Sequence, residues 1–284
     1  QTENDMIHIV TDTLAGIPAA ISSQLNMTVI PQYIIIGDRA YRDDFEISPS
    51  EIVATMKKDG HLPHTAAPPP SLYYPVFSEK TSNGDTVLVV GPSHALSGTI
   101  NSIKTAMKEF PNSDIRIFDT GIIAAPMATM AIQAARWANE GRPIEEIITR
   151  LEDLKRRFRA YLVLKSLEYL HKGGRIGGVQ AVLGSLLQVK PILTMGQNRI
   201  EPYQLVRSHR KALDRLLSLA TAECPPDENS HLCIMQCEAE QDAQWLSEKL
   251  SNKLSLASIP IYGVSSALIV HGGPGILAVS FFIS

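Results

Sequence analysis

The first half of the chain alternates short strand-like runs with longer helical stretches, and that alternation leaves few folds open. MIHIV (Met6 to Val10), TVLVVGPS and DIRIFDT are strand-like runs. IPAAISSQLN, HALSGTINSIKTAMKEF and IIAAPMATMAIQAARWANEG follow them with helical length and composition. A repeated strand–helix alternation implies parallel pairing, so this half is expected to form a βαβ-rich domain around a mostly parallel sheet. MTVIPQYIII reads as a further strand. Ser48-Pro49-Ser50-Glu51 reads as a helix start, with a hydroxyl cap, proline in the first turn and Glu51 three residues after Ser48. The helix it opens, EIVATMKKDG, should end at Gly60. Pro63, Pro68, Pro69 and Pro70 make HLPHTAAPPPSLYY a rigid loop.

Beyond the helix PIEEIITRLEDLKRRF, whose KRRFR run reads as a solvated face, the pattern changes. AYLVLKSLEYL, PILTMGQNRIEPYQLV, HLCIMQC, IPIYGV and ALIVHGG are strand-like, separated by the helices RKALDRLLSLA and DAQWLSEKLSNKL. Gln197 and Asn198 should form a hairpin turn. The expected architecture is therefore α/β in two domains. An N-terminal domain with a mostly parallel sheet spans 6–158, and a C-terminal α/β domain with a mixed sheet spans 159–284, the boundary lying near Arg159.

Composition narrows the function. The 284 residues carry a net charge of −3 with acids and bases spread along the chain, so no basic surface for nucleic acid is expected. After Lys253 no Lys, Arg, Asp or Glu appears, but Pro260, Gly263, Ser265, Ser266, His271 and the GGPG turn break the run. These are buried strands and loops rather than a membrane span of about 20 apolar residues. Cys224, Cys233 and Cys237 form no CxxC pair. Alternation in HLCIMQC puts Cys233, Met235 and Cys237 on one buried face, which is preferred to a metal site made with His231. The polar QTENDM start carries no signal-peptide pattern, with Met6 read as the natural first residue, and a cytoplasmic protein is expected.

Phosphate loops are absent: there is no GxxxxGK[ST], and GGRIGG (Gly173 to Gly178) does not fit GxGxxG. Hydroxyls and histidines instead gather in loops: Thr65 in the proline-braced loop, Ser93 and His94 where a strand meets a helix, and His271 before GGPG at a strand end. Ligands of open α/β sheets bind outside the carboxyl ends of strands. Hydroxyls, an imidazole and backbone N–H groups together suit a carboxylate. Singly, Ser93 reads as a helix N-cap and His271 as a core histidine. A Ser/His acyl hydrolase would use Ser93 or Ser97 as nucleophile, His271 as base and Asp12 or Asp119 as third member, but the chain lacks the GxSxG elbow.

In order and spacing, IHIVTDTLAGIP, IPQYIIIGDRAYRD, the LPHTAAPPP loop, SHALSGT, LEYLHKGGRIGGVQAVLGSLLQVKPIL, I-x-P-x-x-x-V-R with RKAL, and HGGPG resemble the DegV family from Ile7 to about Gly275. The resemblance implies a two-domain α/β protein that encloses a long-chain fatty acid, has no cofactor and does no chemistry alone. It implies a carboxylate held by Thr65, by Ser93 of the serine segment and by His271. It also implies a partner, a fatty acid kinase that makes an acyl phosphate, met by a surface that includes Arg175 and Arg207. A regulatory lipid sensor is a further reading. Three segments depart from the family pattern. His94 replaces the second of the paired serines, His64-Thr65-Ala66-Ala67-Pro68-Pro69 replaces TTSQPS, and Asp12-Thr13-Leu14 replaces DST. His94 is accordingly expected to donate to the carboxylate through a ring N–H. GVQAVLGSLL and the charge-free C-terminal region are candidates for the wall of an apolar cavity.

Overall fold

The computed structural model describes residues 6–58, 62–185, 189–196 and 198–284. In chain order it begins β1 (Ile7–Asp12), α1 (Ala19–Gln24), β2 (Thr28–Ile30), β3 (Tyr33–Ile36), β4 (Arg39–Arg42), α2 (Pro49–Lys58), β5 (His64–Ala66) and α3 (Tyr73–Lys80). It continues with β6 (Thr86–Gly91), α4 (Thr99–Met107), β7 (Ile115–Asp119), α5 (Ala124–Asn139), α6 (Ile144–Arg157), β8 (Phe158–Val163) and α7 (Glu168–Lys172). The remainder is β9 (Lys190–Gly196), β10 (Arg199–Val206), α8 (His209–Glu223), β11 (Cys233–Cys237), α9 (Glu240–Leu254), β12 (Ile261–Gly263), α10 (Ser266–Gly272) and β13 (Ile276–Phe282).

These elements divide into two compact units. The first contains the described residues up to Ile47 together with Thr65–Arg156; the second contains Ser48–His64 and Arg157–Ser284. A single boundary near Arg159 was expected, whereas here the segment that carries α2 joins the second unit. There α2 packs on α10, and Lys57 Nζ pairs with Glu238 at 2.6 Å.

The first unit is built on a four-stranded, wholly parallel sheet in the order β2-β1-β6-β7. Its inner strand β6 is apolar and buried along its whole length because both faces are covered. Val10, Val87 and Val89 pack with Tyr73, Phe77, Ile100 and Ile103 from α3 and α4, while α5 lies against β1 and β6. Pro31 cuts the expected strand MTVIPQYIII in two. β2 joins the parallel sheet, and β3 turns into a small sheet of order β4-β3-β5. The proline loop is more regular than expected, since β5 pairs within it and α3 begins at Tyr73. The cap before α2 is as read: Ser48 N donates to Glu51 Oε2 at 2.8 Å. Gly60, its expected end, lies outside the described residues.

The second unit carries a six-stranded sheet in the order β10-β9-β8-β13-β11-β12, antiparallel except for β11 with β12. β9 and β10 pair as the expected hairpin; Asn198 takes φ 69°, and Gln197 lies outside the described residues. α8 and α9 cover the sheet through Leu213, Leu216, Leu246 and Leu250, which meet Val163, Ile192, Ile234, Val279 and Phe281. The charge-free end of the chain is explained by β13, an inner strand with all seven residues buried. Within that region β12 is the exception, an exposed edge strand. Two expected strands are corrected. ALIVHGG is mostly the helix α10, and AYLVLKSLEYL is strand only in β8, its end Glu168–Leu170 belonging to α7. Both runs are short and apolar, and periodicity does not separate a buried helix turn from a buried strand at that length. The cysteines are free and buried, and burial pushes the Cys233 and Cys237 thiols up to about 11. Among the described residues no helix is long and apolar enough to cross a membrane.

Candidate functional site

The chain leaves β1 for β2 on one side and later returns to place β6 on the other. The carboxyl ends of β1 and β6 therefore flank the switch point of the parallel sheet, where open α/β sheets hold ligands. Here Asp12 ends β1 and is 1% exposed. Its Oδ1 accepts from Leu14 N at 2.7 Å, forming the cap of the turn Thr13–Ala15. Gln32, just past β2, is also buried. Its backbone N donates to Thr13 Oγ1 at 3.0 Å and its Nε2 to Thr99 Oγ1 at 2.8 Å. Thr99 Oγ1 in turn lies 2.9 Å from Ser97 Oγ. Burial pushes the Asp12 carboxyl up to about 7, against the opposing pull of the Leu14 N–H and the Gln32 and Thr99 side chains. The sequence offered Asp12 as a possible triad acid and as the start of the altered DST segment, while Gln32 was missed. The available signal was a lone glutamine between two apolar runs.

The serine segment lies beyond β6. Ser93 is fully buried; its N donates to Ile122 O at 2.9 Å, and its Oγ accepts from Ala95 N at 3.3 Å. Ser93 does not cap the next helix as expected: α4 starts only at Thr99, with Gly98 at its N-cap. A Cβ placed on Gly98 would sit 3.5 Å from Ala67 Cβ, so the proline loop of Thr65 lies against the serine segment. Thr65 itself is half-buried in β5. His94 points the other way. Its side chain is 60% exposed and its Nδ1 lies 2.6 Å from Asp119 Oδ2, while Asp119 Oδ1 accepts from Gly121 N at 2.8 Å. The structure thus gives His94 a partner on β7, and leaves its Nε2 as the ring nitrogen for any ligand.

In the second unit His271 closes the last turns of α10. Its Nδ1 is shut off from solvent although the residue as a whole is half-buried. Burial, then the Arg175 guanidinium, then His64, hold the ring well below the usual histidine range, at about 4. At neutral pH it is an uncharged imidazole, with one N–H to give and one lone pair. Two glycine motifs enforce this place. A Cβ on Gly173 would stand 2.4 Å from His271 Nδ1, and one on Gly273, which has φ +76°, would stand 2.2 Å from the Tyr169 ring. KGGR and HGGPG therefore interlock, and only glycine permits the approach. Arg175 is half-buried and its Nη1 donates to Gly173 O at 2.8 Å. Arg207 is exposed, directly before the α8 cap Ser208, and makes no ion pair among the described residues.

Of the residues singled out in the sequence, Thr65, Ser93 and His94 thus belong to the first unit, and Arg175, Arg207 and His271 to the second. Arg175 and His271 are neighbours. Leu186 and Leu187 of GVQAVLGSLL lie outside the described residues, while Val179 is buried. No cluster of His, Cys, Asp or Glu suited to a metal occurs among the described residues.

A family model described as "Uncharacterised protein, DegV family" matches residues 6–284. A DegV domain-containing protein of Streptomyces coelicolor is 32% identical over 278 residues, spanning 96% of this chain and 97% of that protein. A fatty-acid-binding DegV family protein from Thermus thermophilus matches in structure with a TM-score of 0.90 at 29% identity, covering 98% of this chain and 100% of that one. DegV from Bacillus subtilis, described as a fatty acid binding protein, matches with a TM-score of 0.88 at 28% identity over 99% of this chain and 100% of that one.

Proposed function

From the fact that this chain belongs to the DegV family, we propose that it binds one long-chain fatty acid and presents the carboxylate to a partner fatty acid kinase for acyl-phosphate formation. The observation that carries the reading is the near-complete structural match to two fatty-acid-binding proteins of the family at 28–29% identity. Thr65, Ser93, His94 and His271 are the proposed head-group residues. His271 enters as a neutral N–H donor rather than a counter-ion, because burial and then the Arg175 charge keep it uncharged. A bound carboxylate would favour its protonated form, so binding below neutrality should take up protons. Arg207, exposed and without an ion pair among the described residues, and Arg175 are proposed to meet the kinase or its phosphate.

Calorimetry of delipidated protein with palmitate and oleate tests the reading. About one site per chain is expected. Each lost charge-assisted hydrogen bond is worth about 1.5–3 kcal/mol, so His271→Ala and Thr65→Val should weaken binding by roughly tenfold or more. Arg175→Ala and Arg207→Ala should lower acyl-phosphate yield per bound lipid more than affinity. Absence of binding, with ester turnover abolished by Ser93→Ala, would replace the carrier by the hydrolase.

A further inference from the structure

We propose that Asp119 is a positioning residue that fixes the His94 ring with its hydrogen on Nδ1 and a lone pair on Nε2, so that a fatty acid binds there together with a proton shared between Nε2 and the carboxyl group. This rests on the fatty-acid reading above, in which His94 is a head-group residue.

The pair is built at the carboxyl ends of two neighbouring strands: His94 follows β6 and Asp119 ends β7. His94 Nδ1 lies 2.6 Å from Asp119 Oδ2, and the His94 backbone N reaches the same oxygen at 3.3 Å. The carboxylate is itself held in place. Its Oδ1 accepts from Gly121 N at 2.8 Å, and Lys155 Nζ donates to Asp119 O at 2.6 Å. Ser93 N donates to Ile122 O at 2.9 Å, which ties the serine segment to the turn after β7. The ring is thus anchored through Nδ1 and through its own backbone. Its side chain is 60% exposed, and Nε2 is the ring atom left for a ligand.

A carboxylate accepts hydrogen bonds and gives none, so the ring nitrogen beside it carries the hydrogen. In the neutral ring, a hydrogen on Nδ1 leaves Nε2 with a lone pair. The sequence led to the expectation of a ring N–H given to the ligand. Asp119 corrects this, because a neutral His94 has no N–H left to give. Lone pairs on Nε2 and on a fatty-acid oxygen repel each other. A proton between them removes the conflict, and on the ring it makes a cation flanked by two carboxylates. A serine hydroxyl, which the DegV pattern has here, rotates to give or to accept and needs no such proton.

The other charged groups around the pair are few. Lys155 of α6 meets Asp119 through the backbone carbonyl and opposes a charge on His94. The rest of the serine segment (92–98), the proline loop (65–72), the turn after β7 (120–123) and the first turns of α4 and α5 carry no ionisable residue. Asp119 is therefore the group that decides which ring nitrogen holds the hydrogen.

The test is calorimetry of the delipidated full chain with oleate at pH 7.5, in phosphate and in Tris, whose heats of ionisation differ. The dependence of the heat on the buffer counts the protons taken up. At this pH an unlinked histidine is mostly neutral, and His271, held at about 4, stays neutral. Subtracting the count for His94→Ser cancels any proton the free acid brings. The difference should be between about one half and one proton, and the wild-type affinity should fall roughly three- to tenfold more than that of His94→Ser from pH 7 to pH 8. Asp119→Asn can give an amide N–H to Nδ1 and move the ring hydrogen to Nε2, so its count should drop to that of His94→Ser. A purely structural role for Asp119 would not change the count. Nitrogen-15 NMR of the ligand-free wild type should show His94 as the Nδ1–H form. An Nε2–H ring, or equal proton counts in wild type and His94→Ser, would overturn the proposal. A wild-type count in Asp119→Asn would overturn the positioning role. If neither wild type nor His94→Ser binds oleate while the ring is the Nδ1–H form, it is the fatty-acid reading that has failed, and the proposal falls with it.

Discussion

The two units bury opposite kinds of ionisable group, and burial makes both harder to charge. In the first unit Asp12 is an acid pushed up to about 7; in the second His271 is a base pushed down to about 4. The means of holding them differ. Asp12 sits in a hydrogen-bonded polar cluster at the carboxyl end of a parallel sheet. His271 is fitted by close packing against glycines, with Arg175 adding its charge. A proton is retained by the carboxyl group in one unit and given up by the imidazole in the other, so the two should answer pH with opposite sign.

The largest expected effect is on the first unit. The folded value of Asp12 lies above its ordinary 3.8, so its stabilisation is complete below that value and is lost as pH rises through about 7. At about 1.4 kcal/mol per unit, the full window is worth at most about 4 kcal/mol. Hydrogen exchange of β6 amides should show this loss between pH 4 and 8 in the wild type and not in Asp12→Asn.

His271 runs the other way. Its folded value lies below 6.5, so its contribution is present above 6.5 and is lost as pH falls toward 4, by at most about 3 kcal/mol. In β13 amides, His271→Gln should remove that acid-side loss. If both variants shift exchange with the same sign, the comparison is wrong.

Next in size is the packing itself. Gly173→Ala places a Cβ 2.4 Å from His271 Nδ1. Overpacking of this kind costs about 1–3 kcal/mol. Denaturation followed by probes in the second unit should show it, together with weakened fatty-acid binding. Gly16→Ala in the first unit has nothing within 4 Å and pays only for its left-handed φ of +67°, about 1–2 kcal/mol. The smallest effect is at His94, whose exposed pair with Asp119 should be worth about 0.2–1 kcal/mol. His94→Ser is expected to change oleate affinity by less than His271→Gln does; a reversal of that order would make His94 the principal donor.

Much of this was legible in the sequence, for physical reasons that also mark where it was not. β6 could be read because a strand covered on both faces is a continuous apolar run, and β1 and β7 because short strand-like runs alternate with helices. α6, α8 and α9 could be read because a half-buried helix alternates its faces every few residues. α10 was mistaken for a strand because its apolar run is short and buried. α3 was hidden by prolines that run up to Pro70, just before it, and by Pro75 in its own first turn. The change of unit at Ser48 had no local signal, since a good helix start says nothing about what the helix packs on. At the site, resemblance pointed to Thr65, Ser93 and His271, and chemistry added His94. The cluster of Asp12, Gln32 and Thr99 joins three segments far apart in the chain, a pattern that only the fold brings together.

The central claim is that this chain carries a fatty acid, and native mass spectrometry of the freshly purified protein tests it most directly. An acyl tail gains about 0.8 kcal/mol per buried methylene, so ligand should survive purification. The expected spectrum shows one adduct per chain in the mass range of a long-chain fatty acid, released unmodified into organic solvent. A spectrum of the bare chain, unchanged after incubation with palmitate or oleate, would contradict the account.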